Sequence, residues 1–539
     1  LMLVRVPTIG ETGLITDYAK SGVPGNALTV ADNVRCRDGK IEAVYGDKTL
    51  SESAYILDGE GGIDDGSGTL ITSGGVNEVD FQPHFVLHNG DALNGFWLMA
   101  GLQKCFVSSR GEGAWQEITR ASGDYNGTAD DQWSGDVLNG ILAITNGVDT
   151  PQAWTAADAT TDLVDLPNWD TNDVCGSLRA HRNFLIALNV TKSSIPKPHM
   201  VKWSNQADPG TSPTWDETDA TSDAGEFDLP GADHIIDGGT LRDFFVIYKE
   251  RSTHIMQYIG GQYIFRFTQA FSNSGILGKH CWTEVDGRHV VLTGADLIIH
   301  DGNSSQSVLD NRARQWLFSQ IDADNASRSF LVKHWSYDEV WVCFPESGEE
   351  LCTRALVWNW KDNTITTRRL ANVAHGSAGP TAVSDNLLWS DDGESWDSDP
   401  NPWSSENITP TLQNIVMAAP TDRRIILADA SVSESSDAVQ TLVERVGLTF
   451  DIPNKRKFVR GVRPRFSGDV GEVTIQLGGH ESLGGAITWG PEMTFAIGTD
   501  FKTDHLTNGR YIAFRMTSET GAAWALESLD FDLDVLGDY

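Results

Sequence analysis

Short apolar runs alternate with polar turns along most of this chain, and six of them open similar units between Phe96 and Trp360. The runs recur roughly every 40–60 residues, which is the period of a β-propeller blade. A four-stranded blade cannot bury both of its faces alone, so blades stack radially and the ring protects most strand edges. The pattern predicts an all-β fold with a six-bladed β-propeller. The six runs are residues 96–99, 141–144, 184–187, 244–247, 290–292 and 340–342.

The same pattern divides the chain into four segments. Residues 1–60 are an extended, turn-rich start with an Asp38-Gly39 hairpin signal, and we assign them to the propeller. Residues 61–375 are the propeller proper. Residues 376–445 lack periodicity and are interpreted as an irregular extension or linker, in which 438–446 is the best helix candidate. Strict alternation returns in 446–539, which predicts a C-terminal β-sandwich domain.

Composition narrows the classes of function. The chain has 40 Lys and Arg against 75 Asp and Glu, a formal charge of −35. Proteins that read nucleic-acid sequence need cations to neutralise phosphates, so this class is disfavoured. No apolar stretch approaches the roughly 18 residues of a membrane span, and the start lacks a secretion signal. We therefore expect no membrane span and synthesis in the cytoplasm of a host cell.

Motifs for catalysis, cofactors or metals are absent from the sequence. The nucleophile elbow, Walker loop, His-Glu-x-x-His and dinucleotide fingerprints do not occur. Residues 390–396 resemble the Asp-box turn of sialidases but are one residue short of it. His254 is interpreted as packed, and residues 322–325 as an Asx turn, because the Gly and Glu of a calcium loop are missing. The six cysteines form no Cys-x-x-Cys pair and are expected to be buried thiols. We predict no catalytic residue, no cofactor and no metal site.

One basic cluster lies within 11 residues of this acidic chain. It is either a solvated strand face or a socket for an acidic neighbour, and therefore a candidate subunit interface. The cluster consists of Lys455, Arg456, Lys457, Arg460, Arg463 and Arg465.

The order of these features resembles the tail nozzle (tail hub) proteins of short-tailed bacteriophages. The signature Ala31-Asp32-Asn33, then Asp38-Gly39 and Tyr45-Gly46, resembles their opening. Residues 248–258, 297–302, 321–322 and 337–341 are similar to parts of their propeller, and residues 508–515 to the strand that closes their sandwich.

The resemblance implies a structural protein of the virion tail without catalytic residues. It implies a homo-oligomer, a hexamer, in a ring below the portal and the head-to-tail adaptor protein. Tail fibre, tailspike or tail needle proteins would attach to it, and viral DNA would pass through without sequence-specific binding.

Two other classes of function stay open at this point. One is a carbohydrate-active propeller enzyme, such as a tail-associated depolymerase or a sialidase-like protein. The other is a protein-binding propeller scaffold. Activity on polysaccharide separates the enzyme from the nozzle, and stable assembly into a ring supports the nozzle.

Overall fold

The computed structural model describes residues 2–19, 22–50, 82–89, 95–109, 116–154, 161–219, 221–261, 263–381, 413–431, 439–468, 471–519 and 523–537. Strands account for 53% of the structure and helices for 3%. The predicted all-β class is therefore confirmed. Among the described residues, no helix has the length and apolar character needed to cross a membrane.

Five short strands open the chain. They are β1 (Met2–Val6), β2 (Val30–Asp32), β3 (Val34–Arg37), β4 (Lys40–Ala43) and β5 (Gly46–Thr49). Strands β3 and β4 form the predicted hairpin. Its turn residues Asp38 and Gly39 have φ of 51° and 75°, the positive values that an Asp-Gly turn of type I′ requires.

Six antiparallel units of four strands follow in chain order, and we number them as blades 1 to 6; the first five are separate sheets, and the sixth is part of a larger sheet. Blade 1 contains β6 (Phe85–Asn89), β7 (Phe96–Ala100), β8 (Cys105–Ser109) and β9 (Gln116–Glu117). Blade 2 contains β10 (Ser134–Leu138), β11 (Ile141–Thr145), β12 (Gln152–Trp154) and β13 (Val164–Asp165). Blade 3 contains β14 (Val174–His181), β15 (Phe184–Lys192), β16 (Ile195–Trp203) and β17 (Gly225–Asp228).

The next three blades are built in the same way. Blade 4 contains β18 (Ile235–Leu241), β19 (Phe244–Lys249), β20 (Thr253–Tyr258) and β21 (Phe265–Phe271). Blade 5 contains β22 (Trp282–Val285), β23 (Arg288–Leu292), β24 (Leu297–His300) and β25 (Ser305–Ser307). The helix α1 (Arg314–Gln320) and a 3₁₀ turn (Ala326–Arg328) lead to blade 6. Blade 6 contains β26 (Phe330–His334), a 3₁₀ turn (Trp335–Tyr337), β27 (Glu339–Phe344), β28 (Cys352–Asn359) and β29 (Thr364–Val373). All six apolar runs of the sequence lie on the second strand of a blade.

The described residues contain a seventh blade, which corrects the predicted count of six. It contains β30 (His375–Gly379), β31 (Asn414–Ala419) and β32 (Arg424–Ser431), and the N-terminal strand β5 pairs with β32 as the fourth strand. The sequence pattern missed this blade for two reasons. The connection between β30 and β31 is far longer than in the other blades, so the repeat period fails. Strand β30 (His-Gly-Ser-Ala-Gly) has little apolar character.

The seven first strands surround the propeller axis. Successive first strands contact each other from β6 to β18 and from β22 through β30. Between blades 4 and 5, the indole of Trp282 packs where a Cβ on Gly239 would lie 2.1 Å from it, so only glycine fits there. Strand β30 contacts β6 and closes the ring. The outer strand β5 is supplied by the N-terminal segment, so the ring is fastened by residues from the two ends of the propeller sequence.

The C-terminal strands build the predicted β-sandwich. They are β33 (Thr441–Leu448), β34 (Lys457–Ser467), β35 (Glu472–His480), β36 (Thr488–Trp489), β37 (Met493–Ala496), β38 (Thr503–Gly509), β39 (Tyr511–Ser518) and β40 (Ala525–Val535). One sheet has the order β3-β4-β40-β34-β38, with β1 also paired to β40. The facing sheet includes β2, β33, β39, β35, β36 and β37.

Two predicted boundaries are therefore wrong. Strands β1 to β4 belong to the sandwich, and β5 is the one strand of the described residues 2–19 and 22–50 that belongs to the propeller. Residues 441–448, which overlap the helix candidate, form strand β33, because Leu442 and its neighbours pair with β39 and β2. Tertiary pairing overrides a weak local helix preference in such a short segment.

The described residues of the predicted linker, 376–445, lie mainly in β30, β31, β32 and the first part of β33, so they belong to the two domains. Strand β2 pairs in parallel with β29 at Asp32 and Thr367 and pairs antiparallel with β33, so blade 6 continues into the sandwich as one ten-stranded sheet. One buried apolar cluster contains Val290 of blade 5, Val340 of blade 6 and Phe531 of the sandwich. The domains share a core.

Candidate functional site

The propeller axis holds a cavity of about 510 Å³ between the inner strands. The residues that line the cavity come mainly from the inner strands and from the turns beside them. Blade 5 contributes Trp282, Glu284 and Asp286, and blade 6 contributes Lys333 and the half-exposed Trp335. The cavity therefore combines carboxylates, one amine and indole rings, the residue types that line many ligand sites.

The charges in this cavity are arranged to neutralise each other. Glu284 lies on β22 and Asp286 in the turn that follows it, so both carboxylates come from blade 5. Burial lowers the pKa of Lys333, while Asp286 and Glu284 oppose that shift by their charge. The Nζ of Lys333 also lies 3.3 Å from the ring centroid of Trp335, a cation–π contact.

The axis is closed at one end of this cavity. His280, just before β22 in blade 5, is 2.7 Å through Nε2 from the carbonyl oxygen of Trp133, just before β10 in blade 2. Lys279 donates to the carbonyl of Gln132 at 3.0 Å. Blades 2 and 5 are not neighbours in the ring, so these hydrogen bonds cross the axis. The rings of Phe85 and His375 pack beside His280 and complete the closure.

The hydrogen bonds fix the tautomer of His280. The guanidinium of Arg179 lies 3.2 Å from Nδ1, which must accept because a guanidinium can only donate. The Nε2–H then donates to Trp133. Burial and, as the second cause, the charge of Arg179 lower the pKa of His280 to about 4. His280 is therefore a neutral, fixed part of the closed axis.

A second set of buried histidines lies between blades 4 and 5. Tyr248 joins them, with its hydroxyl 2.7 Å from Nδ1 of His289 and 2.8 Å from Nε2 of His300. His289 donates from Nε2 to the carbonyl of Thr240, and His300 accepts at Nδ1 from the amide of Gly302, so both rings are neutral. Burial lowers the pKa of His289 to about 3 and that of His300 to about 4.

Because of these histidines, we expect the free energy of unfolding to fall at pH values well above the pKa of carboxylates. Unfolded histidines titrate near about 6.5. Because the folded-state pKa values are lower, their contribution to stability is present above pH 6.5 and is lost as pH falls toward 4. Each such histidine gives a slope of about 1.4 kcal/mol per pH unit in that window. Urea unfolding at pH 7, 6 and 5 measures this slope.

Two variants test the assignment. His280→Gln can reproduce both hydrogen bonds but does not titrate. It should therefore reduce the slope of unfolding free energy against pH by about 1.4 kcal/mol per pH unit, the contribution of one histidine. His234→Gln is the control, because that side chain is 54% exposed. An unchanged slope in His280→Gln would contradict the assignment.

Arg179 and Asp237 anchor the inner strands of blades 3 and 4. Two guanidinium nitrogens of Arg179 lie 2.9 and 2.6 Å from the two oxygens of Asp237, and a third donates to the carbonyl of Gly135 in blade 2. Trp282 of blade 5 also donates to Asp237 at 3.0 Å. Burial alone would raise the pKa of Asp237, but the charge of Arg179 holds it below its ordinary value. One ion pair therefore connects four blades.

A deeply buried charge network lies at the junction of the propeller and the sandwich. Arg35 of β3, 2% exposed, enters between blades 6 and 7. Its guanidinium lies 2.5 Å from Glu339 of β27 and 2.7 Å from Asp429 of β32, and it stacks 3.4 Å from the ring centroid of Tyr337. A strand of the sandwich thus supplies the cation that two propeller blades require.

Asp429 is the centre of this junction network. It accepts from Arg35, from Arg368 of β29 at 3.0 Å and from the backbone amide of Tyr45 at 2.9 Å. Arg368 also reaches Asp47 of β5 at 2.8 Å. Burial alone would raise the pKa of Asp429, but the two arginines hold it well below its ordinary value. The network fastens β5, and therefore blade 7, to the sandwich.

A second network at the junction centres on Asp32 of β2. Arg354 and Arg369 of blade 6 lie 3.2 and 3.1 Å from its two oxygens, and the hydroxyl of Thr367 donates to it at 3.0 Å. Asp32 is 3% exposed. The residues Asp32 and Asp38-Gly39 of the opening signature therefore lie at or beside the domain junction.

The basic cluster lies on the sandwich and has acidic partners in its own chain. Three arginines of β34 pair with three aspartates of β40: Arg460 with Asp534 at 2.6 Å, Arg463 with Asp532 at 3.1 Å and Arg465 with Asp530 at 2.9 Å. All three guanidinium side chains remain 47–57% exposed. The acidic neighbour of the cluster is thus an adjacent strand, and a role at a subunit interface stays a prediction.

The remaining members of the cluster lie apart from this row. Arg456 pairs with Glu481 at 2.6 Å, and Lys455 is exposed in the turn before β34. Lys457 points inward and donates to the carbonyl of Arg510. Burial and, as the second cause, the charge of Arg510 lower the pKa of Lys457 to about 8.

The other sequence candidates have structural roles or lie outside the described residues. His254 is buried beside Ser252, and burial lowers its pKa. Asp322 accepts from the amides of Asp324 and Asn325, which confirms the Asx turn. Residues 390–396 lie outside the described residues. All six cysteines are buried. Within the described part, no group of three or more His, Cys, Asp or Glu could hold a metal ion.

Sequence reasoning missed Arg35, Arg179, Asp237 and Asp429. Two signals were present. Arg35 sits between Val34 and Cys36 in a short apolar strand, and Asp237 precedes Gly238-Gly239 in another. A charge inside such a strand indicates a buried partner, but the sequence does not reveal which one.

Comparison with known proteins assigns this chain to no family. No protein-family model matches the chain, and no curated protein matches it in sequence. The solved structures that it resembles include PorZ, a surface component of the type-IX secretion system of Porphyromonas gingivalis, with 9% identity and a TM-score of 0.36. The likeness covers 79% of this chain and 45% of PorZ, so the chain spans less than half of that protein.

Two further solved structures that resemble this chain belong to proteins of other kinds. The WD40 β-propeller domain of Doa1 has 9% identity and a TM-score of 0.36, covering 64% of this chain and 96% of that domain. The exo-β-1,3-galactanase of Phanerochaete chrysosporium has 10% identity and a TM-score of 0.26, covering 91% and 100%. Likenesses this distant carry no argument about activity. The β-propeller fold rests on the sheet order of the chain itself.

Proposed function

We propose that this chain is a structural protein of a short-tailed bacteriophage virion, the tail nozzle that forms a ring below the portal and adaptor. The observation that carries the proposal is the rigid junction between the propeller and the sandwich. Arg35, Glu339 and Asp429 are all buried there and join strands of both domains. The tail nozzle resemblance of residues 31–46 falls on this same junction.

A rigid two-domain block suits a load-bearing ring. Domains within one chain usually move relative to each other unless their interface is large and apolar. Here a continuous sheet, a shared core and buried ion pairs join them. A propeller with a fixed sandwich also offers different surfaces on its two sides, which favours head-to-tail contacts and cyclic assembly.

The closed axis of each propeller bears on the path of the DNA. A duplex could not pass between His280 and Trp133, which are hydrogen-bonded across the axis. In the proposed nozzle, the DNA channel therefore lies between copies and not inside a propeller. We propose an acidic wall for this channel, since lysines and arginines there would bind phosphates and hold the DNA back. The formal charge of −35 per copy is compatible with such a wall.

Electron microscopy of the purified full-length chain, alone and mixed with its adaptor, tests the proposal. We expect closed rings, six copies by resemblance, and labelling of the tail tip when antibodies against the chain are added to virions. Antibody labelling confined to the capsid, or no binding to virions, would overturn the proposal.

A polysaccharide-cleaving enzyme is the second candidate, and the axial cavity is the observation that favours it. Glu284, Asp286 and the half-exposed Trp335 are residue types found in glycosidase sites. Sugar release from capsular polysaccharide, assayed with the full chain and with Glu284→Gln, separates the two functions. Turnover that is lost in Glu284→Gln would establish the enzyme, and no turnover is expected for a nozzle.

A further inference from the structure

Two strongly exposed apolar side chains lie at one edge of the sandwich. Phe501 is 86% exposed and Leu506 is 82% exposed, the highest values for large apolar side chains among the described residues. Leu506 lies on β38, and Phe501 lies two residues before that strand. Strand β38 is the last strand of its sheet and pairs only with β34 in the described part of the chain. Neighbouring apolar side chains at a sheet edge are typical of a binding surface.

The opposite side of the same sheet is also exposed and apolar. Strand β1 pairs with β40 and has no second partner among the described strands. Its side chains Met2 and Leu3 are 49% and 53% exposed. The two edges have different sequences. One edge can therefore bind the other edge of a second copy without also binding an identical edge.

The outer face between these edges is almost neutral. Five cations alternate with four carboxylates across it, in pairs that include Arg5–Asp530 at 3.7 Å and Lys502–Asp504 at 2.8 Å. The other pairs are the three arginine–aspartate pairs of β34 and β40. Copies that each carry −35 repel one another over most of their surface, so a neutral face is where two copies can approach.

Charge at the edges also favours a head-to-tail contact. Asp504 of β38 is 81% exposed and Arg5 of β1 is 57% exposed, and they carry opposite charges, although each also has a partner in its own chain. When β38 of one copy lies against β1 of the next, the apolar side chains meet and these two charges lie on facing edges. A contact between two β38 edges would instead bring the two Asp504 carboxylates together.

We infer that the β38 edge of one copy, with Phe501 and Leu506, binds the β1 edge of the next copy, with Met2 and Leu3. The occupant is a second copy of this chain, and the contact is heterologous, so it repeats around a ring. The inference deepens the proposed function and rests on it only for closure of the copies into a ring.

Cysteine cross-linking tests the contact directly. The six native cysteines are buried, and burial raises the pKa of Cys36 to about 12, so a short bismaleimide should react mainly with introduced thiols. The double variant Leu3→Cys/Leu506→Cys should give a ladder of covalent dimers, trimers and larger species. Each single variant should give no ladder.

The matched control moves one thiol to an exposed site on the propeller. Leu3→Cys/Tyr263→Cys replaces a side chain that is 72% exposed and far from the sandwich in sequence. This variant should give no ladder. Absence of a ladder in the test variant, or an equal ladder in the control, would overturn the inference.

The outcomes also separate this inference from the proposed function. Closed rings in micrographs without cross-linking of Leu3→Cys/Leu506→Cys would retain the nozzle and overturn this contact. A cross-linked ladder together with open filaments only, and with no label on virions, would retain the contact and overturn the nozzle.

A second test uses the double variant Phe501→Asp/Leu506→Asp. It should abolish assembly while leaving the unfolding midpoint nearly unchanged, because both side chains are exposed.

Discussion

Arg35→Met is expected to lower the free energy of unfolding by about 3–5 kcal/mol, the cost of removing one partner from a buried ion pair. Methionine fills much of the same volume, so the loss comes mainly from the charges left behind. Glu339 loses its cation, and Asp429 keeps only Arg368 as an arginine partner. Urea unfolding at pH 7, followed by tryptophan fluorescence, measures the change.

Arg37→Met is the matched control for Arg35→Met. Arg37 lies on the same strand two residues away, its side chain is 39% exposed, and its ion pair with Asp38 is at the surface. Exposed pairs contribute about 0–1 kcal/mol, so the control should be close to the wild type. Equal losses in the two variants would mean that the junction network does not stabilise the fold.

A chain that lacks residues 1–50 is expected not to fold cooperatively. The deletion removes the outer strand of blade 7 and four strands of the sandwich. It also removes buried side chains of Leu28, Val34, Ile41 and Leu50, each 0–2% exposed. Burial of each contributes about 1.5–3 kcal/mol. Their sum is comparable with a typical total stability of about 5–15 kcal/mol. Circular dichroism melting and solubility after expression measure the effect.

Two further experiments show which part of the deleted segment matters. A chain that lacks only residues 2–6 loses the edge strand β1 and should still unfold cooperatively at a lower temperature. Co-expression of residues 1–50 as a separate peptide should recover soluble protein from the 51–539 chain. Cooperative unfolding of the 51–539 chain alone would contradict the shared-core architecture.

Local signals in the sequence located many elements correctly. The six apolar runs identified the second strand of blades 1 to 6, because that strand is buried on both faces and reads as a continuous apolar segment. The Asp38-Gly39 turn and the Asx turn at Asp322 were predicted from residues whose side chains or φ preferences act within a few positions. Such signals depend on a few neighbouring residues and less on the rest of the fold.

Local signals in the sequence did not predict the seventh blade. Its first strand is rich in glycine, a long insertion separates it from the second, and its fourth strand comes from residues 46–49. Periodicity cannot find a blade whose strands are far apart in the chain. The same holds for strands β1 to β4, which complete a sandwich whose other strands begin at Thr441.

Sequence alone thus determined the all-β class, the propeller repeat and the C-terminal sandwich, because alternation and turn chemistry are properties of neighbouring residues. It also marked the basic strand, but not its partners. Only the tertiary structure decided the number of blades, the closed axis, the pairing of Arg460, Arg463 and Arg465 with β40, and the burial of Arg35 beside Asp429. These features depend on residues that lie from 65 to 394 positions apart in the chain. A charge becomes buried and paired only when the fold brings its partner to it.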